Sequence, residues 1–530
     1  VNHGAKTVFE AFSTTVASHG DAPFLYYPAG ALGPAAGAPV NLPYTSVARD
    51  VETVATRYRA AGYTRGHRVA LLLENGPEFV IHFLALNAVG ACIVPLNPDW
   101  RPGEMGFVLG HSEAALVVAL ADHKAAVREF AVCGPSDDPP EVAKEPEPDV
   151  DECAILYTSG TTGRPKGCIL SNAYFLSLGR IYITEGGLCE VRPGRERIIT
   201  PLPLFHVNAL ATSLMAMMLS GGCVVQLDRF HPSRWWDDVA SSGATIVHYL
   251  GVMPAILLGL PPRDIERGHK IRFGFGANAD PKHHAAFEAR FGFPLIESWA
   301  MTETAGGACI TASREPRHVG TRCIGKPRPF VEVRLEGDDG AEVPDGTHGE
   351  LLVRRAGPDP RAGFFSGYLK DPAATEAAWR GGWFHTGDVV RRGPDGSLHF
   401  VDRRKNIIRR AGENIAALEV EATLAEHASV RQVAVLPVAD DIRDEEVMAC
   451  VVLHPGIDPD RAAAVALQDW CLGRIAYFKA PGHIAFVPSL PTTATNKVQK
   501  ANLSALLDPD DTRVARFDLR DRKKRAVSVS

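Results

Sequence analysis

The chain has 530 residues and a mass of 57.1 kDa, enough for about three to four compact units. Hydrophobic residues make up 45% and charged residues 22%, which excludes a disordered chain or a disulfide miniprotein. A net charge of −6 argues against a broad nucleic-acid-binding face, which needs a basic patch, and only 14 of the 56 basic residues are lysine, so each lysine's position carries information.

The first 400 residues read as alternating strands and helices. No charged start with an apolar stretch opens Val1–Gly20, so no secretory signal is expected. Gly and Pro crowd residues 28–43, which predicts a surface loop. Arg68–Leu73 reads as a buried strand, Pro77–Val89 has helical spacing, and Ala91–Pro95 and Ala115–Leu120 are the next strands. Such alternation implies a largely parallel sheet with helices on its faces. Residues 134–152 hold eight acids, five prolines and one lysine, a solvated linker leading into the strand Ala154–Tyr157.

Ile198–Leu227 carries no Asp, Glu, Lys or Arg and imitates a membrane span, but Pro201, Pro203, Asn208 and the Gly221-Gly222 break predict loop, helix and strand instead. The alternation resumes through strands at Cys223–Leu227, Thr245–Tyr249, Ile271–Gly274 and Leu295–Ser298, with helices at 232–242 and 281–291. Beyond residue 320, short runs such as Glu332–Leu335 and Glu350–Arg354 between Gly/Asp/Pro turns predict antiparallel strands and a small β-barrel. From Asn406 a second compact unit runs to about Leu507. Seven basic and two acidic residues in Arg513–Arg525 predict a frayed, solvated tail. No two of the ten cysteines lie closer than 14 positions, so no C-x-x-C pair exists and reduced thiols in a cytoplasmic protein are expected.

The most informative segment is Tyr157-Thr-Ser-Gly-Thr-Thr-Gly-Arg-Pro-Lys-Gly167. It is not a Walker P-loop, because the fifth residue after Gly160 is Pro165 rather than Gly. The physics is related: glycines let backbone amides approach an anion, and hydroxyls and one lysine supply further donors.

This run resembles the signature of the acyl-adenylate-forming superfamily, which includes acyl-CoA synthetases, peptide-synthetase adenylation domains and firefly luciferase. Further motifs follow in the family's order over nearly the whole chain. The texture around Arg410-Ala-Gly-Glu-Asn-Ile415 looks most like crotonobetaine/carnitine-CoA ligases. The resemblance implies an α/β fold: a large N-terminal domain (1–402) of two β-α sheet subdomains plus the barrel, a hinge (403–406), a mobile α+β C-terminal domain (407–508) and a tail (509–530). It implies an AMP-forming acid–thiol ligase with ATP, Mg²⁺ and coenzyme A. A small carboxylic acid is its partner substrate; no nucleic acid and no integral membrane segment are expected, and a homodimer is.

By position, Thr158, Ser159, Gly160, Thr161, Thr162, Gly163 and Lys166 match the loop that holds the β- and γ-phosphates. Trp299, Thr302 and Glu303 match an adenine-stacking aromatic, a phosphate contact and a Mg²⁺ ligand, although the family usually has Tyr-Gly where this chain has Trp299-Ala300. Gly276, Ala277 and Asn278 match a turn edging adenine and the acyl pocket, and His206 matches a gate beside the acyl and thiol tunnel. Asp388 matches the ribose-binding carboxylate and Arg403 a nucleotide contact. Lys405 matches the hinge, Gly412 the CoA tunnel and Lys497 the catalytic lysine, with Asn496 in place of the usual glycine. Lys500 reads as a surface residue. The acyl pocket is expected from His206, residues 248–254, the Gly276 turn and residues 300–306, with His248, Tyr249 and Trp299 either as faces for a cationic acid or as packing for a small aliphatic or aromatic one. Three alternatives stand beside CoA ligation: loading of a carrier-protein phosphopantetheine, an idle nucleotide-binding protein, and luciferase-like oxygenation.

Overall fold

The computed structural model describes residues 4–33, 37–100, 102–143, 145–146, 151–158, 165–410, 413–440, 444–475, 477–492, 498–500, 502–503 and 514–523. Contacts divide the chain into two units. The first holds residues 1–334, 352–386 and 392–399; the second holds 335–351, 387–391 and 400–530.

The first unit contains two doubly wound sheets. One has seven strands, in the order Gly367–Tyr368, Lys166–Leu170, Ala154–Thr158, Cys92–Pro95, Arg68–Leu72, Leu116–Ala119 and Val132–Cys133. Its central strands pair in parallel. Arg68–Leu72 is buried at every position, as a strand covered on both faces requires. The helix Pro77–Val89 stands where the spacing predicts it. Gly76 caps its start, Pro77 takes the first turn, and Gly90 ends it in the left-handed region at φ +83°. The acidic linker is anchored at its end: Glu152 makes a buried two-pronged ion pair with Arg68, at 2.7 Å on both arms.

The other sheet has eight strands, in the order Ile310–Thr311, Leu295–Trp299, Phe273–Ala277, Ile246–Leu250, Arg197–Thr200, Cys223–Gln226, Pro23–Tyr27 and Val40–Pro43. The last of these lies inside the expected surface loop 28–43, where Val40–Pro43 pairs antiparallel with Pro23–Tyr27. The uncharged stretch after Ile198 resolves into strand, loop, a π-type turn at Asn208–Ser213, the helix Leu214–Ser220 and strand. Among the described residues no helix is long and apolar enough to cross a membrane.

The barrel expectation is corrected. Cys323–Gly325, Leu398–Arg403, Phe384–Arg392, His348–Arg355 and Val331–Glu336 form an open five-stranded sheet in that order, with no pairing between its first and last strands among the described residues. Its residues are apportioned to both units.

The second unit is an α+β layer. The hairpin Ile407–Arg410 and Glu413–Ala416 joins Asp444–Leu453, which also pairs with Val430–Asp440 and His483–Phe486. The helices Ala417–Ala425 and Arg461–Leu472 bury Val420, Leu424, Leu467 and Cys471 in its core. The tail is not frayed where described: Ala515–Asp518 adds an antiparallel strand to His483–Phe486, and Leu519 is fully buried. A buried charge cluster follows. The Lys523 Nζ donates to Glu446 Oε1 at 2.5 Å and to the Phe478 carbonyl at 3.1 Å, while the Arg410 Nε donates to Glu446 Oε2 at 2.8 Å. Any side chain at Gly482 would run into the Glu446 carboxyl, 2.5 Å from a built Cβ. All ten cysteines are buried and free.

Candidate active site

In the first unit the antiparallel pair Ala154–Thr158 and Lys166–Leu170 sets Thr158 opposite Lys166, so the two ends of the phosphate-loop candidate come together. Ser159, Gly160, Thr161, Thr162 and Gly163 lie outside the described residues. Cys168 pairs with Tyr368 on the neighbouring edge strand. That register carries Tyr368 to the site: its ring lies 4.8 Å under the Lys166 ammonium, and its hydroxyl donates to Glu303 Oε1 at 3.0 Å. Lys166 also approaches Asp371 Oδ2 at 3.9 Å. Glu303 is buried, and the Thr302 carbonyl accepts from the Tyr174 hydroxyl at 2.8 Å. Burial and the Glu303 charge push the Tyr368 pKa up, so the phenol stays protonated and keeps donating. A carboxylate, an ammonium and a phenol are thereby gathered beside Thr158. The sequence reading found all but Tyr368, whose only signal is the aromatic-glycine run Phe364-Phe-Ser-Gly-Tyr368.

The strands Phe273–Ala277 and Leu295–Trp299 pair in parallel and end together. Gly276 is required here, because a Cβ would sit 2.3 Å from the Tyr249 carbonyl oxygen. Asn278 takes the left-handed region at φ +63°, which Asn tolerates. The turn is fastened by Glu297, which accepts from the Asn278 N–H at 2.9 Å, the Ala279 N–H at 3.0 Å and the Tyr249 hydroxyl at 2.6 Å. Burial raises the Glu297 pKa. Trp299, at the end of its strand, is only 5% exposed. His206 is exposed beside the Phe205 ring, 4.7 Å between centroids.

A cavity of about 100 Å³ opens beside these segments. Tyr182 and Glu185 from the helix Asn172–Ile183 and the residues after it, Asn208 of the π-type turn, Phe275, Ala300 and Thr311 are among its lining. The expected pocket is corrected in part: Gly276, Ala277, Ala300 and Ala305 line it, but His248 and Tyr249 do not. His248 is fully buried, its Nε2 on the Tyr182 hydroxyl at 2.9 Å and its Nδ1 on the Ser213 hydroxyl at 2.6 Å. Burial lowers its pKa to about 3, so it is neutral.

In the second unit, Asp388 is buried on its strand and pairs with Arg403, whose Nε lies 2.8 Å from Oδ1. Asp402, unassigned by sequence, organises the adjoining turn. Its Oδ1 accepts from the Arg403 N–H at 2.6 Å and the Asn406 amide at 3.0 Å, and its Oδ2 from the Leu418 N–H at 3.0 Å. Lys405 lies in the single turn Arg404–Asn406. Gly412, Asn496 and Lys497 lie outside the described residues. The flanks of the lysine loop are joined by a Thr492–Val498 bridge. Lys500 is not a surface residue but a half-buried partner of Glu421, at 2.7 Å.

A model of the AMP-binding enzyme matches residues 12–369, and one of its C-terminal domain matches residues 419–497. The chain belongs to the AMP-binding enzyme family. It is 32% identical over 485 residues to a sulfoacetate–CoA ligase of Cupriavidus necator, covering 87% of this chain and 92% of that protein. It is 30% identical over 497 residues to a crotonobetaine/carnitine–CoA ligase of Salmonella arizonae, covering 88% and 94%. Among solved structures, the o-succinylbenzoate CoA synthetase of Bacillus subtilis in complex with its acyl-adenylate intermediate matches with a TM-score of 0.79 and 25% identity, over 93% of this chain and 97% of that one. Membership of this family makes the chain an enzyme and fits the α/β architecture of its first unit.

Proposed function

We propose how the residues divide the work of an AMP-forming acid–thiol ligase, the activity that the family and the ligase relatives support. The enzyme joins a carboxylic acid to coenzyme A in two steps. A carboxylate oxygen attacks the α-phosphorus of ATP, the α–β anhydride P–O bond breaks, and pyrophosphate leaves. The CoA thiolate then attacks the acyl carbon, the C–O bond to phosphate breaks, and AMP leaves. The observation that carries the reading is the convergence of Thr158, Lys166, Glu303 and Tyr368, a donor-rich loop mouth with one ammonium and one carboxylate.

In the first step anion meets anion, so fixed donors and cations must offset the repulsion. Lys166 and the loop 158–163 hold the β- and γ-phosphates, and Thr302 contacts the α-phosphate. Glu303 suits Mg²⁺, which is commonly held by one or two carboxylates together with substrate phosphates and water. The ion when bound neutralises phosphate charge. The turn Gly276–Asn278 and Trp299 border adenine, and Asp388 with Arg403 takes the ribose. Lys497 bridges the acid and the α-phosphate. In the second step Lys405 is the pivot, Gly412 flanks the pantetheine and His206 gates the thiol's approach.

The ten buried, free thiols favour a reducing compartment such as the cytoplasm. Light scattering measures the homodimer expected by resemblance.

The deciding experiment separates the half-reactions. Lys497→Ala is expected to lower acid-dependent pyrophosphate release by at least a hundredfold, while thioester formation from supplied acyl-adenylate and CoA stays within threefold. Equal loss of both would remove Lys497 from its role. Pyrophosphate release without any acyl-CoA product would move the acceptor from free CoA to a carrier-bound thiol.

A further inference from the structure

The cavity beside the Gly276 turn has polar side chains in its wall, and most of them are already engaged inside the protein. The Tyr182 hydroxyl meets His248 Nε2 at 2.9 Å. Glu185 accepts from the Ser313 hydroxyl at 2.7 Å and from Arg328 at 3.3 Å, so its charge is compensated. The Ser298 hydroxyl lies 3.0 Å from that of Thr311 and 3.3 Å from the Cys309 thiol. Asn208 and Thr212 are the exceptions among the described lining residues. Both belong to the π-type turn Asn208–Ser213, whose other four residues, Ala209, Leu210, Ala211 and Ser213, are buried. The turn ends with the Leu214 N–H on the Ala209 carbonyl, five residues back, and this wide winding sets residues four apart on one side. The Asn208 amide oxygen lies 3.2 Å from His248 Nδ1; an amide oxygen only accepts, so that ring nitrogen carries the proton. The Asn208 amide nitrogen and the Thr212 hydroxyl have no hydrogen-bond partner among the described residues. One wall of the cavity therefore presents two neighbouring donors that the fold itself does not use.

Resting on the ligase reading, we propose that the acid this enzyme activates is short and carries an uncharged hydrogen-bond acceptor in its tail, a hydroxyl or an amide oxygen, read by the Asn208 amide and the Thr212 hydroxyl. A hydrocarbon tail would displace water from both donors without replacing its hydrogen bonds, and a donor left unsatisfied away from water is costly. A site built to bond a polar group discriminates strongly against the analogue that lacks it. The size follows from the volume: an apolar cavity of about 150 Å³ takes a benzene ring, so about 100 Å³ takes a tail of roughly four non-hydrogen atoms. The tail is uncharged because no lysine, arginine or histidine stands among the described lining residues to pair an anion, and Glu185 is already matched by Arg328.

The test measures acid-dependent pyrophosphate release for polar acids against apolar acids of the same shape: 3-hydroxypropionate against butyrate, and 3-hydroxybutyrate and malonamate against 3-methylbutyrate. Malonate supplies the charged tail. Wild-type kcat/KM is expected to favour the best polar acid over its apolar match by at least tenfold, and over malonate. Thr212→Val keeps the shape and removes the hydroxyl, and Asn208→Leu removes the amide. Each is expected to shrink the polar-to-apolar ratio fivefold or more, through a higher KM for the polar acid, with the apolar acid changed less than threefold. Apolar acids that all come within threefold of their polar matches, or malonate as the best substrate, overturn the proposal whether or not the variants fold. So does an unchanged ratio in either variant when that variant melts like wild type. Release from none of these acids would instead fail the ligase reading, and the proposal with it.

Discussion

At the residue scale, Tyr368 links the two charges that phosphate chemistry needs. Its ring faces the Lys166 ammonium and its hydroxyl holds Glu303. Tyr368→Phe keeps the ring and removes one hydrogen bond to a charged group, a loss of about 1.5–3 kcal/mol. kcat/KM for ATP is expected to fall roughly tenfold or more, with the KM of the acid unchanged; steady-state kinetics with each substrate varied in turn read this, and a loss under twofold would show that the bond does not position Glu303. Lys166 and Glu303 were legible because each sits inside a short, chemically dense motif. Tyr368 was not, because it reaches them only through strand register. His248 and Tyr249 failed for a related reason. Neighbouring strand residues point to opposite faces, and here one face packs on Tyr182 and Ser213 and the other on Glu297.

At the scale of elements, periodicity located the parallel strands and the helices Pro77–Val89 and Pro281–Phe291 to the residue or nearly so. Those signals are local: continuous apolar runs, Pro in the first turn, Gly just past the end. The open five-stranded sheet and the last strand were misread because closure and edge pairing are properties of partners, not of segments. The tail's basic charge suggested solvent, yet Lys523 is spent on Glu446 in the interior. Removing one member of a buried ion cluster strands the others, at about 3–5 kcal/mol. Lys523→Met, which keeps most of the aliphatic stem, is expected to lower the unfolding free energy of the second unit by about 3 kcal/mol. Urea titration followed by tryptophan fluorescence measures it; a shift under 1 kcal/mol would show that Arg410 alone suffices for Glu446.

For the whole molecule, a prediction concerns acid. His82 and His248 are both buried neutral: the Pro135 carbonyl makes His82 Nε2 the donor, so Nδ1 accepts from Tyr58, and burial takes the two pKa values to about 4 and about 3. Unfolded, each returns to about 6.5. Between those values the unfolded chain binds more protons, so stability rises with pH there. Their contribution is whole above pH 6.5 and is lost as pH falls toward 4 and below, by up to about 1.4 kcal/mol per pH unit for each histidine. Urea midpoints are expected to stay level from pH 7.5 to about 6.5 and then to fall toward pH 5; a profile flat throughout would show that other groups cancel the histidines. In the contact-based division, residues 335–351 and 387–391 leave the first unit and the chain then returns to it, a pattern that depends on which segments touch and has no local signal in the sequence.

The buried thiols give the protein a built-in recorder. Eight cysteines, from Cys92 to Cys323, belong to the first unit and two, Cys450 and Cys471, to the second. With every sulfur covered, an alkylating reagent can mark a unit only when that unit opens. The mass added over time therefore counts openings, and peptide mapping tells which half of the chain opened first.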